Sequence, residues 1–326
     1  LSMNYDGYKR MPNSYLQQTI NTSLLHPSCY EITGGGYAQY TFSIFDDHGH
    51  DGVLLIQPGI RVDYSNLWGT FVTPRLHLRW TPTEWVNLRA SAGKGYRTSF
   101  TLDENNYLLS SSRKVYMDSE TQREEDWNAG ASVMFKPEVF GKELNFTAEY
   151  YYTDFQKQAV IDMDRDAHSV YIYQLDGKSR SHVFQLEATY PFFKGFSATL
   201  AYRYTDSKTT YIDASGKKEL KERPLTSRYK GLASVQYKTP KNLFQFDATL
   251  AINGPGRMPE PYQMVNGEYS WEKEYKAFPQ LNAQITYNIR KNFSVYVGGE
   301  NLTNFTQKNP IIAADKPWGD EFDPTM

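Results

Sequence analysis

Residues 70–100 have the alternation of a β-hairpin, and this pattern constrains the fold more than any other in the chain. Along the first arm, Leu76, Leu78 and Trp80 alternate with basic side chains, and a second alternating arm begins at Val86. Successive side chains of a strand point to opposite faces, so one face of the hairpin is apolar and the other is charged. The apolar face either packs against a second sheet in a soluble sandwich or meets lipid.

The same alternation recurs in about twelve segments of roughly 10 residues, the length that a tilted strand needs to cross a bilayer. The connections alternate in length. Short ones cover residues 81–85, 136–142, 191–195, 239–242 and 290–292, and long ones follow Phe100, Phe155, Thr205, Gly254 and Phe305. A sandwich gives no reason for every second loop to be long, whereas a membrane barrel has short turns on one side and long loops on the other. We therefore predict an all-β, antiparallel up-and-down transmembrane β-barrel, with a soluble all-β domain as the alternative.

Composition agrees with this fold and excludes several others. Aromatic residues make up 15% of the 326 positions, including 26 Tyr and 18 Phe, as expected where rings form girdles at membrane interfaces. No apolar run approaches the ~20 residues of a helical span. The net charge of −2 is spread along the chain, so no nucleic-acid surface is expected. Cys29 is the single cysteine, which excludes an internal disulfide and disfavours a thiolate metal site.

Four stretches resemble the C-terminal part of the barrel of TonB-dependent outer-membrane receptors. Residues 73–100, preceded by 35–45 and 59–65, resemble successive strands of that barrel, and residues 295–310 resemble its penultimate strand and the following loop. The resemblance covers residues 35–310 and implies a partial barrel, about 12 of about 22 strands. Nothing in the chain resembles the family's plug domain, its TonB-contacting segment or its last strand, and the first residues lack the features of a signal peptide.

The resemblance also implies a division of the chain. Residues 1–36 would be the remnant of an extracellular loop, residues 37–305 the transmembrane barrel strands with their loops, and residues 306–326 the last extracellular loop. Such a piece would not close by itself, so its two open edges would need covering.

The function implied by the resemblance is TonB-dependent active import of a scarce, bulky nutrient across the outer membrane of a Gram-negative bacterium. The cargo would be a small molecule or glycan, namely a siderophore complex, cobalamin or an oligosaccharide. Partners would be the TonB complex through the plug, the receptor's own N-terminal plug domain and outer-membrane lipid. The resemblance implies no enzymatic activity, no cofactor and no bound metal. Haem is disfavoured, because no histidine lies between Gly93 and Asp126, where haem receptors of the family carry one, and residues 96–99 depart from the usual Phe-Arg-Ala-Pro sequence.

Several charged residues fall on the polar side of the alternation and are predicted to face the lumen and the plug. They are Arg75, Arg79, Arg89, Arg97, Glu149, Arg203, Asp247 and Glu300. Arginines among them are suited to plug or ligand contacts because a guanidinium binds a carboxylate through two hydrogen bonds. The alternative is that these positions are polar only because the lumen is wet. We expect Arg75, Arg79 and Arg89 to point into solvent when no plug is present.

Two acidic segments are candidate metal sites. Asp46, Asp47 and Asp51, with His48 and His50, form a ligand set, but they lie in a predicted periplasmic turn, where polar residues are ordinary. The spacing of Asp162, Asp164 and Asp166 opens a calcium loop, yet Ala167 and Tyr173 replace the required Gly and Glu. An EF-hand is excluded, and a looser calcium site in this loop stays open.

The alternative function is a self-contained 12-strand outer-membrane barrel enzyme, phospholipase-like, or a pore. Ser181 and His182 are its candidate catalytic pair, but adjacent strand residues face opposite sides. Two aromatic loop segments, 105–119 and 259–271, are candidates for cargo binding through rings and hydroxyls.

Overall fold

A computed structural model of the chain describes residues 2–9, 28–44, 53–99, 101–105, 108, 114–117, 123–166, 169–213, 215–261 and 271–306. Most of these residues lie in β-strands, and regular alternation of side chains is the reason. The long strands have β-branched, aromatic and small apolar residues at every second position, which suits a pleated surface with two different environments.

One sheet of 15 strands dominates the chain. Its main path consists of β1 (Ser2–Lys9), β2 (Ser28–Gln39), β4 (Val53–Ser65), β5 (Gly69–Thr83), β6 (Val86–Thr98), β8 (Arg123–Phe135), β11 (Asn145–Lys157), β14 (Ser179–Phe193), β15 (Phe196–Ile212), β17 (Tyr229–Lys238), β18 (Phe244–Asn253), β21 (Phe278–Arg290) and β22 (Phe293–Gly299). Two short strands flank this path: β3 (Phe42–Ile44) pairs with β4, and β16 (Lys218–Glu222) pairs with β15.

Smaller elements lie in the connections. They are α1, a single helical turn (Thr101–Glu104), a 3₁₀ turn (Pro240–Asn242), and the strands β7 (Lys114–Met117), β9 (Glu138–Val139), β10 (Lys142–Glu143), β12 (Ala159–Asp162), β13 (Ser169–Gln174), β19 (Gly256–Arg257) and β20 (Glu274–Tyr275). Within the described ranges, no helix is long and apolar enough to span a membrane.

Strands of the main path pair in chain order, and each pair is antiparallel. The prediction of an all-β, antiparallel up-and-down sheet is therefore confirmed. Consecutive connections lie at alternate ends of the sheet, which we call the turn end and the loop end. The turn end has the β2–β4, β5–β6, β8–β11, β14–β15, β17–β18 and β21–β22 connections, and the loop end has the other connections, including the three-residue β4–β5 turn.

The N-terminal segment differs from the prediction of a loop over residues 1–36. β1 and β2 form an antiparallel pair there, and β2 continues through Gly34–Gly36 to pair with β4. The glycine run and the mixed polarity of these residues conceal the period of 2, which is why the strand was missed. β15 likewise extends to Ile212, well beyond the predicted end near Thr205, because β16 folds back on it.

The two faces of the large sheet differ in chemistry. Leu200, Val235, Ile285 and Val297 belong to an apolar face, and these four side chains are 40–71% exposed. The other face bears the charged positions of the same strands. β1 and β22 end the path, and no pairing between them is present in the described residues, so the sheet is open.

Candidate functional site

A second, smaller sheet lies at the loop end, and its strands belong to connections between strands of the large sheet. β12 and β13 form an antiparallel hairpin in the β11–β14 connection, and β13 pairs in parallel with β7 from the β6–β8 connection. We call this three-stranded sheet, with Leu108, the cap. Val115, Met117, Val170 and Ile172 alternate inward with Leu108, and each is at most 6% exposed. The cap therefore has a conventional hydrophobic core, which holds two connections together.

The opposite face of the cap presents aromatic rings and a cation. Tyr116 and Tyr171 lie directly across from each other in the β7–β13 pair, with their rings stacked at 5.2 Å between centroids. The guanidinium of Arg165 lies 4.6 Å from the centre of the Tyr171 ring. Tyr116 and Arg165 are exposed. Flat rings beside a cation suit an anionic or planar ligand.

Asp162 fixes the lower part of the cap through buried hydrogen bonds. Its carboxylate accepts hydrogen bonds from the Tyr173 hydroxyl at 2.8 Å and from the backbone N–H of Asp164 at 2.9 Å. The Tyr173 oxygen in turn accepts the N–H of Ile212, at the end of β15. Burial raises the pKa of Asp162, although the hydrogen bonds oppose the shift, and burial also raises the pKa of Tyr173.

Asp164 connects the cap to the β18–β21 connection. Its carboxylate lies 2.8 Å from Nη2 of Arg257, and both side chains are at most 14% exposed. Its other oxygen accepts the N–H of Glu260, while Arg257 donates from Nε to the carbonyl of Glu222. Three connections of the loop end, those after β11, β15 and β18, are thus tied together through one carboxylate and one guanidinium.

These contacts bear on the predicted calcium loop. Asp162 and Asp164 direct their oxygens at Tyr173, Arg257 and backbone N–H groups, and Asp166 accepts the Ser169 hydroxyl. Among the described residues no group of three or more His, Cys, Asp or Glu side chains is placed to hold a metal ion. The other candidate set, Asp46 to Asp51, lies outside the described residues.

A cross-strand row of polar side chains crosses the face opposite the apolar one. In order from β5 to β17 it contains Arg79, Arg89, Ser132, Glu149, Gln185, Arg203 and Lys230. Four residues singled out in the sequence thus lie in a single row across six strands. Gln185 and Lys230 were not singled out, although the alternation around them is the signal that would have included them.

The two arginines at the start of the polar row are direct cross-strand neighbours. Like charges opposite each other destabilise a strand pair. Arg89 donates to Asn87 at 3.1 Å, and neither Arg79 nor Arg89 has a carboxylate partner within the described part of the chain. Glu149 and Arg203 make no hydrogen bond or ion pair there either. No carboxylate of the described strands therefore pairs with these two arginines.

The other predicted residues lie elsewhere on the sheet. Arg75 shares the face of Arg79 and is exposed, opposite Gly93. Arg97 binds Glu104 through two hydrogen bonds of 2.9 and 3.0 Å and Glu124 through a third of 2.6 Å. Arg97 is therefore already occupied at the loop end.

Asp247 and Glu300 complete the set. Asp247 accepts hydrogen bonds from Gln236 and Gln245 near the turn end. Glu300 follows β22, in a bend rather than a strand, and is exposed. Neither belongs to the polar row.

The proposed catalytic pair is not assembled. Ser181 lies opposite Thr153 and Ser207, whereas His182 belongs to the other face and its Nδ1 lies 2.8 Å from the Tyr150 hydroxyl. Their opposite orientation follows from the pleat.

Comparison with known proteins identifies the family. The model described as "TonB dependent receptor-like, beta-barrel" matches residues 2–302. The chain belongs to this family, which confirms the resemblance seen in the sequence. No curated protein sequence matches the chain.

Solved structures of the family share the fold. The ferric enterobactin receptor of Pseudomonas aeruginosa is 16% identical, with a TM-score of 0.59 over 85% of this chain and 40% of that one. The siderophore receptor PirA of Acinetobacter baumannii is 12% identical, with a TM-score of 0.59 over 85% and 42% of the two chains. The FrpB iron transporter of Neisseria meningitidis is also 12% identical, with a TM-score of 0.59 over 85% and 41%. The chain spans about two fifths of the length of these proteins, and its open sheet is a partial barrel of their kind.

Proposed function

We propose that this chain forms part of the barrel wall of a TonB-dependent importer in the outer membrane of a Gram-negative bacterium, and that the cargo is an anionic siderophore complex. Membership of the receptor family supports the import role. The fold is shared with a ferric enterobactin receptor and a siderophore receptor, which supports this cargo class over cobalamin or an oligosaccharide.

The observation that carries the proposal is the exposed face of the cap. Tyr116 and Tyr171 present stacked rings, and Arg165 adds a positive charge beside them at the loop end. In the proposed orientation this end faces the outside, where cargo arrives. A ring pair flanked by a guanidinium attracts a ligand that is both planar and negatively charged.

The polar row has a separate role in this proposal. Arg79 and Arg89 are adjacent cations without a carboxylate partner among the described residues, and Glu149 lies two strands away. We assign them to contact with the receptor's own N-terminal plug domain, through which the TonB complex acts. Carboxylates on the plug would relieve the repulsion between the two arginines.

The proposal is tested by ligand binding to the intact protein. Intrinsic fluorescence titration with ferric enterobactin, the iron-free siderophore, cyanocobalamin and maltohexaose compares the cargo classes. Arg165→Gln should weaken binding of the ferric complex about tenfold, the effect of losing roughly 1.4 kcal/mol from one charge-assisted contact.

Arg180→Gln is the matched control, because Arg180 is also exposed at the loop end but lies over no ring of the described residues. It should leave affinity unchanged. Binding of the uncharged oligosaccharide in preference to every ferric complex, or equal effects of the two substitutions, would contradict the proposed cargo. Uptake that continues in cells without TonB would contradict the import mechanism itself.

A further inference from the structure

Basic residues concentrate at three consecutive connections of the turn end. Lys194 lies in the β14–β15 turn, Lys238 and Lys241 flank the β17–β18 turn, and Arg290 and Lys291 lie at the β21–β22 turn. All five are exposed. None of them forms an ion pair with a carboxylate of the described residues, so their charges are not neutralised within that part of the chain.

The sequence around these turns contains no acid. Asp and Glu are absent from residues 188–205, 231–246 and 285–299. The turn end is different at the other side of the sheet, where Glu84 lies in the β5–β6 turn. The positive charge is therefore a local property of the β14–β22 part and not of the whole rim.

Aromatic rings form a continuous chain just above the same three turns. Phe193 stacks on Phe196 at 4.9 Å and approaches Tyr237 at 6.2 Å. Tyr237 and Phe246 are 6.3 Å apart. Phe244 then connects Phe246 to Tyr287, the latter at 4.8 Å. The chain thus runs across five strands on the apolar face.

Rings at this level belong at the boundary between hydrocarbon and headgroups, because an aromatic side chain tolerates both environments. Cations directly beyond the rings reach the headgroup layer, with their alkyl stems lying along the apolar surface. A strip of five positively charged side chains, with no Asp or Glu in the sequence around its turns, attracts a negatively charged membrane surface.

We propose that this strip, defined by Lys194, Lys238, Lys241, Arg290 and Lys291, binds the anionic headgroups of phospholipids in the leaflet at the turn end. The inference rests on the proposed function, since it requires the large sheet to cross a membrane. It predicts a lipid preference at one arc of the wall, with phosphatidylglycerol favoured over phosphatidylcholine.

The test measures lipid selectivity by electron spin resonance. The intact protein is reconstituted in vesicles of phosphatidylcholine containing a trace of spin-labelled phosphatidylglycerol or spin-labelled phosphatidylcholine, and the motionally restricted fraction of each label is compared. We expect a preference for phosphatidylglycerol on the order of threefold, since attraction of several cations adds near an anionic lipid. The preference should fall towards unity when salt is raised to about 1 M, where the Debye length is roughly 3 Å.

The variant K194Q/K238Q/K241Q/R290Q/K291Q should lose the preference while keeping the motionally restricted fraction of phosphatidylcholine. Its control, K217Q/K218Q/K221Q/K273Q/K276Q, removes the same number of charges from the loop end and should keep the preference. An addition of inorganic phosphate at millimolar concentration should not compete, because the five exposed cations are spread over three separate turns.

Each other outcome overturns the inference. A wild-type protein that inserts and yet shows no preference, or a strip variant that keeps it, excludes this lipid site while leaving the import function intact. Competition by an acidic polypeptide such as polyglutamate, without any lipid preference, would assign the strip to a protein partner instead. A protein that shows no restricted lipid at all is not in the bilayer, and that result would contradict the proposed function.

Discussion

The large sheet and the cap use the same alternation of side chains with opposite results. In the cap, Val170 and Ile172 are at most 1% exposed, because a core within the chain covers them. In the large sheet, Leu200 is 62% and Val297 71% exposed, although these residues are just as apolar. One sheet buries its apolar face against its own chain, and the other leaves that face uncovered.

The contrast shows that the two sheets are suited to different solvents. A monomer in water rarely leaves so large a contiguous apolar surface open. The cap obeys this rule, as expected of a structure surrounded by water. The large sheet violates it along a series of strands, as expected of a wall whose apolar face meets hydrocarbon.

Removing a cap side chain should have the largest effect that distinguishes the two regions. Ile172→Ala leaves a cavity in a closed core, so the free energy of unfolding of the cap should fall by about 3–4 kcal/mol. Hydrogen exchange of the cap amides measures the loss, and amides of β14 and β15 should keep their protection.

Ile285→Ala provides the matched substitution on the wall. Ile285 is 44% exposed on the apolar face. Lipid acyl chains would therefore fill the space that the shorter side chain leaves, and no cavity would form. Its cost should stay below about 1 kcal/mol, as only part of the transfer free energy is lost. Equal costs at the two positions would mean that Ile285 is covered by protein, and the comparison would fail.

A charge on the apolar face should have the next largest effect. Leu200→Arg places a guanidinium on the apolar face of β15, at a cost of about 2–3 kcal/mol if that face meets lipid. The assembled fraction, read from heat-modifiable migration on gels, should decrease. In a water-soluble sheet the same substitution would be nearly neutral, because Leu200 is already 62% exposed.

Ala201→Arg is the control on the neighbouring position. Ala201 belongs to the polar face, where it lies opposite Glu187. The added arginine should be tolerated there. Loss of assembly in both the Leu200→Arg and the Ala201→Arg variant would show that neither face of β15 tolerates added volume or charge. The distinction between the two faces would then fail.

The wall was predictable from the sequence because its rule is local. A period of 2 marks each strand, and the alternation of short and long connections gives their order without knowledge of distant contacts. The twelve predicted strands correspond to β2 with β3 and to the long strands from β4 to β22. β1 was missed because its residues are mostly polar, with Lys9 at its end.

The cap and the polar row were not predictable in the same way. The β7–β13 pair joins residues about 55 positions apart in parallel, and β7 is only four residues long, too short for a period to appear. The Asp164–Arg257 contact joins residues 93 positions apart. Arg79, Arg89, Glu149 and Arg203 were each placed on the polar face, but their alignment depends on register between strands, which side-chain period alone does not fix.

The smallest effect that separates the two regions is a pH dependence confined to the cap. Burial raises the pKa of Asp162, so the folded cap binds this proton more tightly than the unfolded chain does. The contribution of Asp162 to stability is then fully present below the ordinary aspartate pKa of about 4, and is lost as the pH rises through the raised pKa.

Asp162→Asn keeps a neutral acceptor for the Asp164 N–H, so the variant should gain stability relative to the natural cap between about pH 4 and pH 7. Hydrogen exchange of β13, corrected for intrinsic rates, measures this difference, and amides of β5 and β6 should show none. A difference that is the same at every pH would mean that folding leaves the pKa of Asp162 unchanged, and that its hydrogen bonds offset its burial.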